Sequence, residues 1–162
     1  MSYPSNNSSP LTKKILISHD GKFISLEKID PAPQVSHHLI IGKKVKTPIG
    51  TLSLKKVKTW KKPKDGNSAY FRYSDIGSRK RLVRFWKAGD KMMPFGMKGK
   101  SRLVSDILNE AGIKSERLKY FVPLVVFEDE PSFILWIPGI RSAEFGRLSA
   151  KSETALELSR II

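Results

Sequence analysis

Residues 124–137 read LVVFEDEPSFILWI, which is two short apolar runs joined by an acidic turn that contains a proline. Each run has the length of a β-strand, and neither has a polar residue at every second position, as a half-exposed strand would. The stretch therefore predicts a β-hairpin whose two strands are buried on both faces.

Other segments of the chain are also rich in strand-forming residues. A first hairpin is predicted around Asp20-Gly21, because this dipeptide favours tight turns between strands, here at 15–17 and 22–26. Further strand-like runs stand at 39–41, around Leu52, at 69–73, at 82–86 and at 154–158, with a turn at 47–50.

Helical spacing of apolar residues is confined to the second half of the chain. It predicts a main helix at about 102–111, with Ser101 as its cap and Gly112 at its end, and a short helix at about 115–121. The predicted fold class is α+β, a β-sandwich-like or mixed sheet with one main helix and one short helix.

The length of 162 residues is that of one domain, or of one domain with an arm. Residues 1–12 are expected to be a disordered leader or the remnant of a linker. A basic β-rich segment follows at 13–68, and a third segment covers 69–162. We expect residues 13–162 to form one folded unit.

The charge is strongly positive, with 30 Lys plus Arg against 15 Asp plus Glu and a formal net charge of +15. Such an excess favours a polyanionic partner, most often nucleic acid. The densest stretch, called here the lysine segment (residues 43–64), contains no acidic residue, and Lys55, Lys56 and Lys58 are its candidate RNA contacts. Lysines on a strand can instead protect a sheet edge from pairing with other chains.

Several chemistries lack the residues that they require. The chain has no Cys, and its three histidines, His19, His37 and His38, do not make a metal site, so no metal ligand is predicted. Gly99-Lys100-Ser101 is not the end of a nucleotide-binding loop, because Pro94 stands where that loop needs a glycine. No catalytic residue and no cofactor are predicted for this chain.

The sequence also bears on location. No apolar run approaches the roughly 18 residues that cross a membrane, and the N-terminal residues lack the pattern of a signal peptide. We therefore expect no membrane partner and a cytoplasmic location.

Residues 96–100, called here the glycine loop, combine two glycines with Lys98 and Lys100 ahead of the main helix. Backbone amides and lysines there are suited to a phosphate, although the glycines are equally explained by a tight connection. Nearby aromatic residues at 70–73 and 85–86 are suited to stacking on bases, but strand alternation places one set of these rings in the core.

Residues 82–100, LVRFWKAGDKMMPFGMKGK, followed by LVSDIL at 103–108, resemble the C-terminal domain of tRNA(Ile)-lysidine synthetase. Arg117, VPLV at 122–125 and LWIPGIR at 135–141 continue the family's order, so the resemblance covers about residues 69–158. The Ser-Gly-Gly-x-Asp-Ser loop of the family's ATP-binding catalytic domain does not occur in the chain. The sequence FGRL at 145–148 departs from the family pattern, so a basic role there moves to Arg147.

The resemblance implies a function. Full enzymes of the family use ATP to activate the wobble cytidine of an isoleucine tRNA and join lysine to it. Their C-terminal domain, related in fold to a domain of the phenylalanyl-tRNA synthetase β subunit, helps to grip the tRNA. The expected partners are thus tRNA, isoleucine tRNA in the first place, and a catalytic domain in cis or in trans, to which ATP belongs.

The resemblance and the charge pattern together give the site residues. The candidate phosphate contacts are Arg84, Lys87, Lys98, Lys100, Arg102, Arg117 and Arg141. The residues expected to shape the loop are Gly89, Asp90, Pro94, Gly96 and Gly99. Two alternatives stay open: part of an active ligase whose ATP domain is supplied elsewhere, and a basic structural protein that binds RNA without specificity.

Overall fold

The computed structural model describes residues 15–19, 24–28, 36–150 and 153–162. The chain divides into two compact units, Met1–Pro33 and Gln34–Ile162, and each is described by itself. In the first unit, β1 (Ile15–His19) pairs antiparallel with β2 (Ile24–Lys28), which confirms the predicted first hairpin. Residues 1–12 and the Asp20-Gly21 turn lie outside the described residues.

The second unit is mostly antiparallel sheet with three short helices, so the α+β prediction is confirmed. Its strands are β3 (His37–His38), β4 (Lys44–Thr47), β5 (Gly50–Val57), β6 (Ser68–Arg72), β7 (Arg81–Phe85), β8 (Lys91–Met92), β9 (Arg102–Leu103), β10 (Pro123–Phe127), β11 (Ile134–Ile137), β12 (Arg141–Ser142) and β13 (Ala155–Ile161). Its helices are α1 (Tyr73–Ile76), α2 (Val104–Glu110) and α3 (Glu116–Lys119).

The strands form two main sheets and one small pair. The order is β12-β11-β10-β7-β3 in a five-stranded sheet and β4-β5-β13-β6 in a four-stranded sheet, with β8 paired to β9. The predicted 124–137 hairpin is β10 and β11, and every residue of both strands is buried. Both sheets and α2 contribute to one hydrophobic core.

The four-stranded sheet shows how alternation assigns its two faces. Cross-strand partners share a face, so Leu54 of β5, Leu158 of β13 and Ala69 of β6 lie together in the core. Lys55, Glu157 and Tyr70 share the opposite face. The predicted division of the aromatic rings is confirmed here, since Phe71 is buried and its neighbour Tyr70 is not.

Three details differ from the sequence predictions. The main helix begins at Val104, because Arg102 and Leu103 pair as β9 with β8, and Ser101 does not cap it. Residues 39–41 are not a strand: Leu39 is buried and donates its N–H to the carbonyl of Arg81 just after β3. The helix α1 has no counterpart in the predictions.

No helix among the described residues is long and apolar enough to cross a membrane. Within the same residues, no cluster of three or more His, Asp and Glu side chains is arranged to hold a metal ion.

Candidate nucleic-acid interface

The Arg84 side chain, a predicted phosphate contact, is instead committed to the protein. Its Nη1 and Nη2 atoms donate to the two carboxylate oxygens of Asp90 at 2.8 and 2.9 Å. The remaining donors bind the carbonyl oxygens of Pro131 and Phe85 at 2.8–3.1 Å. A guanidinium has five N–H groups, and these contacts use all of them. We therefore assign Arg84 to holding the loop rather than to binding phosphate.

Asp90 closes the turn that follows β7. Besides pairing with Arg84, its carboxylate accepts the Lys87 backbone N–H at 2.9 Å, and its carbonyl accepts the Val104 N–H at 2.9 Å. Gly89 precedes it with φ of +90°, a conformation that glycine adopts without strain. The turn thus joins β7 to the start of α2 and leaves the Lys87 side chain exposed.

The glycine loop is fastened to the segment around β12. Pro94 forms a bridge with Ala143, and the Gly96 N–H donates to Oε2 of Glu144 at 2.5 Å. The loop does not lead directly into a helix, since β9 intervenes, so the expected amide site at a helix N-terminus is not formed. Lys98 and Lys100 remain exposed, and their ammonium groups are the part of this loop that is suited to phosphate.

Arg102 and Arg141 lie close to the same carboxylate. Arg102 forms a two-pronged pair with Glu110, with 3.1 Å between Nη1 and Oε2. This hydrogen bond raises the pKa of Arg102 and lowers the pKa of Glu110, to which the positive charges of Arg102 and Arg141 also contribute. Arg102 is therefore partly neutralised, whereas Arg141 is exposed on β12.

The lysine segment presents its charges on two faces of β5. Lys55 lies on the outer face of the four-stranded sheet, together with Lys44 and Lys46 of the neighbouring strand. Lys56 points to the opposite side, where its Nζ lies 3.9 Å from the centre of the Tyr73 ring. Lys58 follows the strand and is exposed. Of the lysines in residues 36–150, Lys80 alone lies within 4 Å of a carboxylate of residues 36–150 or 153–162.

Arg117 is exposed on α3, and among the described residues no carboxylate lies within 4 Å of it. The predicted cations therefore divide into two sets. Arg84 and Arg102 are paired, while the others are open to a ligand: Lys55, Lys56, Lys58, Lys87, Lys98, Lys100, Arg117 and Arg141.

Sequence reasoning missed a groove of about 520 Å³ lined by residues from two distant segments. Trp60, Lys62 and Tyr70 come from one segment, and Arg141 and Arg147 come from the other. The signal in the sequence was Trp60 within the lysine segment, but nothing in the sequence indicated that it meets residues 80 positions away.

Comparisons with known proteins agree with the resemblance. No protein-family model matches the chain. The tRNA(Ile)-lysidine synthases of Geobacter sulfurreducens and Clostridium perfringens strain 13 are 36% and 34% identical to it over 80 and 77 residues. These matches cover 49% and 48% of the chain but only 16% and 15% of the relatives. The enzyme of Clostridium acetobutylicum is 33% identical over 92 residues, 57% of the chain and 19% of the relative.

A solved structure, described as the C-terminal domain of TILS, superposes with a TM-score of 0.61 and 22% identity. It covers 77% of this chain and 95% of that domain. The chain thus spans less than a fifth of its curated relatives but nearly the whole of one domain. It is similar to tRNA(Ile)-lysidine synthase over about half of its sequence and has the fold of the solved C-terminal domain.

Proposed function

We propose that this chain is a tRNA-binding module that grips tRNA, isoleucine tRNA in the first place, for a lysidine-synthase catalytic domain. The observation that carries the proposal is the set of exposed lysines that have no carboxylate partner within the part of the chain that the structure describes. A paired cation has already lost most of its attraction for phosphate, whereas an unpaired, hydrated ammonium releases counterions when it meets a nucleic acid. The predicted place of action remains the cytoplasm.

Catalysis is proposed to reside in a different domain, in cis or in trans. The chain has no Ser-Gly-Gly-x-Asp-Ser sequence and no correctly spaced phosphate loop. We therefore expect that the purified chain neither binds ATP tightly nor forms lysidine. Incorporation of labelled lysine into isoleucine tRNA by the chain alone would contradict this.

The test of binding is a titration of fluorescently labelled isoleucine tRNA, and of an unrelated tRNA, at several salt concentrations. With about five phosphate contacts, each adding about 0.7–0.9, the slope of log K against log salt should exceed about 3. A flat response would remove the electrostatic basis of the proposal.

The alternative is a basic protein that coats RNA without specificity, which the net charge of +15 also favours. The same titration separates the two functions. Tighter binding of isoleucine tRNA at matched salt supports the module, and equal binding of both tRNAs supports the alternative.

A further inference from the structure

The groove between the two segments contains aromatic rings that the fold does not use in its core. Phe71, Trp86 and Trp136 are buried and belong to the hydrophobic core. Trp60 and Tyr70 do not belong to it, although both line the groove. Phe95, another lining residue, is 44% exposed. These rings thus stand at a recess whose volume lies in the range of ligand sites.

The two rings of the first segment are held in place without a ligand. The Trp60 indole N–H donates to the carbonyl of Ala150 at 2.8 Å, and its ring centre lies 6.2 Å from that of Tyr70. A hydrogen bond joins Tyr70 to Glu157, and burial together with this neighbouring carboxylate raises the pKa of the Tyr70 hydroxyl. A ligand that stacks here pays little to order the rings, which favours binding.

Positive charge surrounds the same recess. Lys62, Arg141 and Arg147 line it, against a single lining carboxylate, Asp65. That carboxylate already accepts hydrogen bonds from the backbone and side-chain nitrogens of Asn67 at 2.9 and 3.1 Å. Arg147 is partly neutralised, because its Nη1 lies 3.9 Å from Oε1 of Glu144. The Arg147 guanidinium lies 5.2 Å from the centre of the Phe95 ring. Rings and cations together match the two parts of a nucleotide, its base and its phosphate.

We propose that this groove holds an unpaired nucleotide of the bound RNA, with its base stacked at Trp60 and Tyr70 and its phosphate near Arg141 or Lys62. This inference rests on the proposed function and adds which part of the RNA the groove takes. A base inside a duplex is covered on both faces by its neighbours, so an unpaired, unstacked base is the one that can enter a recess and stack on its ring. A duplex backbone needs exposed cations but no aromatic recess.

The test compares two RNA hairpins that share one stem, the first blunt and the second with a four-nucleotide single-stranded 3′ extension. The full chain should bind the extended hairpin about ten-fold more tightly, the scale of stacking one base. Trp60→Ala should abolish this advantage without changing the affinity for the blunt hairpin, and Trp60→Phe should retain most of it. Lys62→Ala should reduce the advantage, whereas Lys64→Ala, a matched loss of charge outside the lining, should not.

Tryptophan fluorescence gives an independent readout. Of the three tryptophans, Trp86 and Trp136 are 3% and 1% exposed. Because Trp136 also lines the groove, quenching by a base is assigned to Trp60 when Trp60→Phe abolishes it. Six-nucleotide oligoadenylate should quench the emission, and tripolyphosphate should not. Melting temperatures of the variants confirm that each is folded.

The outcomes distinguish the groove proposal from the proposed tRNA-binding function on which it rests. Equal affinity for the two hairpins overturns the groove proposal while RNA binding stands. Failure to bind either hairpin overturns the proposed function and the groove proposal with it. Quenching by hexaglutamate peptide as strong as that by oligoadenylate overturns the nucleotide in favour of an acidic protein partner.

Discussion

The Arg84–Asp90 turn and the lysine segment are both basic, yet the arginine of the turn is largely buried in an ion pair and the lysines of the segment are exposed. The Arg84 and Asp90 side chains are only 14% and 5% exposed, and the guanidinium is fully hydrogen-bonded. In the lysine segment the ammonium groups are exposed, and within the described ranges none lies within 4 Å of a carboxylate. One region uses charge to build the fold, and the other leaves it available for a ligand.

The same division extends across the second unit and mostly follows residue type. The exceptions are Arg117 and Arg141, which are open, and Lys80, which lies 3.8 Å from Glu128. Arg79 lies 3.5 Å above the Phe127 ring and pairs with Asp129, while Arg72 pairs with Glu153 at 3.0 Å. Arg81 is buried against backbone carbonyls, and this burial lowers its pKa. A guanidinium binds several acceptors in a fixed geometry, whereas an ammonium is a compact hydrated charge. Net charge alone therefore overstates the surface available to RNA.

The largest effect is expected from breaking the Arg84–Asp90 pair. Arg84→Met leaves the Asp90 carboxylate buried without its partner, which should lower the free energy of unfolding by about 3–5 kcal/mol. Urea denaturation measures the loss. Lys87→Ala, at the exposed cation of the same turn, should change stability by less than about 0.5 kcal/mol. Parent-like stability of Arg84→Met combined with weakened tRNA binding would return Arg84 to the set of phosphate contacts.

The next largest effect concerns the glycine loop. Lys98→Ala with Lys100→Ala should cost about 1–2 kcal/mol of tRNA affinity and lower the salt slope by about 1–2. Lys98 already has φ of +50°, so alanine adds no new backbone strain and stability should hold. Gly99→Val is the opposite control: at φ of +77° a β-branched residue is strained, so the fold should lose stability. Unchanged affinity in the double variant would move the contact surface to the lysine segment.

The sequence predicted those parts of the fold that depend on local pattern. The hairpin of β10 and β11 follows from two apolar runs of strand length, and the opposite faces of Tyr70 and Phe71 follow from alternation. Helical spacing found α2 but not its start, because the pairing of residues 102–103 with 91–92 is a contact across a loop. Leu39 is a strand-forming residue, but it fills the core just after the end of β3, with its N–H bonded to Arg81 of β7.

The candidate site was less predictable because pairing depends on geometry in space. Arg84 and Lys87 are equivalent as charges in the sequence. They differ because Asp90 folds back within the same turn and Pro131 approaches from the β10–β11 connection, and both accept hydrogen bonds from the Arg84 guanidinium. Trp60 and Arg141 line the same groove although they are far apart in the sequence. A local sequence pattern cannot predict such a contact.

A smaller effect on tRNA binding is expected from removing the carboxylate that pairs with Arg102. Glu110→Gln removes the carboxylate that neutralises Arg102 while keeping the size of the side chain. If pairing is what withholds Arg102 from RNA, its release should steepen the salt slope by about 0.7–0.9 and tighten tRNA binding at low salt. Asn109→Asp, which adds a negative charge at the neighbouring exposed position, should weaken binding. No gain for Glu110→Gln would mean that Arg102 lies outside the footprint, paired or not.

The smallest expected effect is a pH dependence of stability that arises from Glu153, the carboxylate that pairs with Arg72. Hydrogen bonds from the Ser149 hydroxyl, Arg72 and the Ala150 N–H lower the pKa of Glu153 to about 2, against an ordinary value of 4.5. A folded pKa below the unfolded one means that the unfolded state binds the proton first as pH falls. The stabilisation from this carboxylate is therefore complete above about pH 4.5 and is lost progressively toward pH 2.

Glu153→Gln should remove this contribution, so the stability difference from the parent should be largest near pH 6 and shrink as pH falls from about 5 toward 2. Urea denaturation at each pH measures it. Because Glu153 and Arg72 belong to the charges that build the fold, tRNA affinity at neutral pH should not change beyond what one lost negative charge explains. A difference that stays constant with pH would show that the Glu153 carboxylate is not stabilised by these contacts.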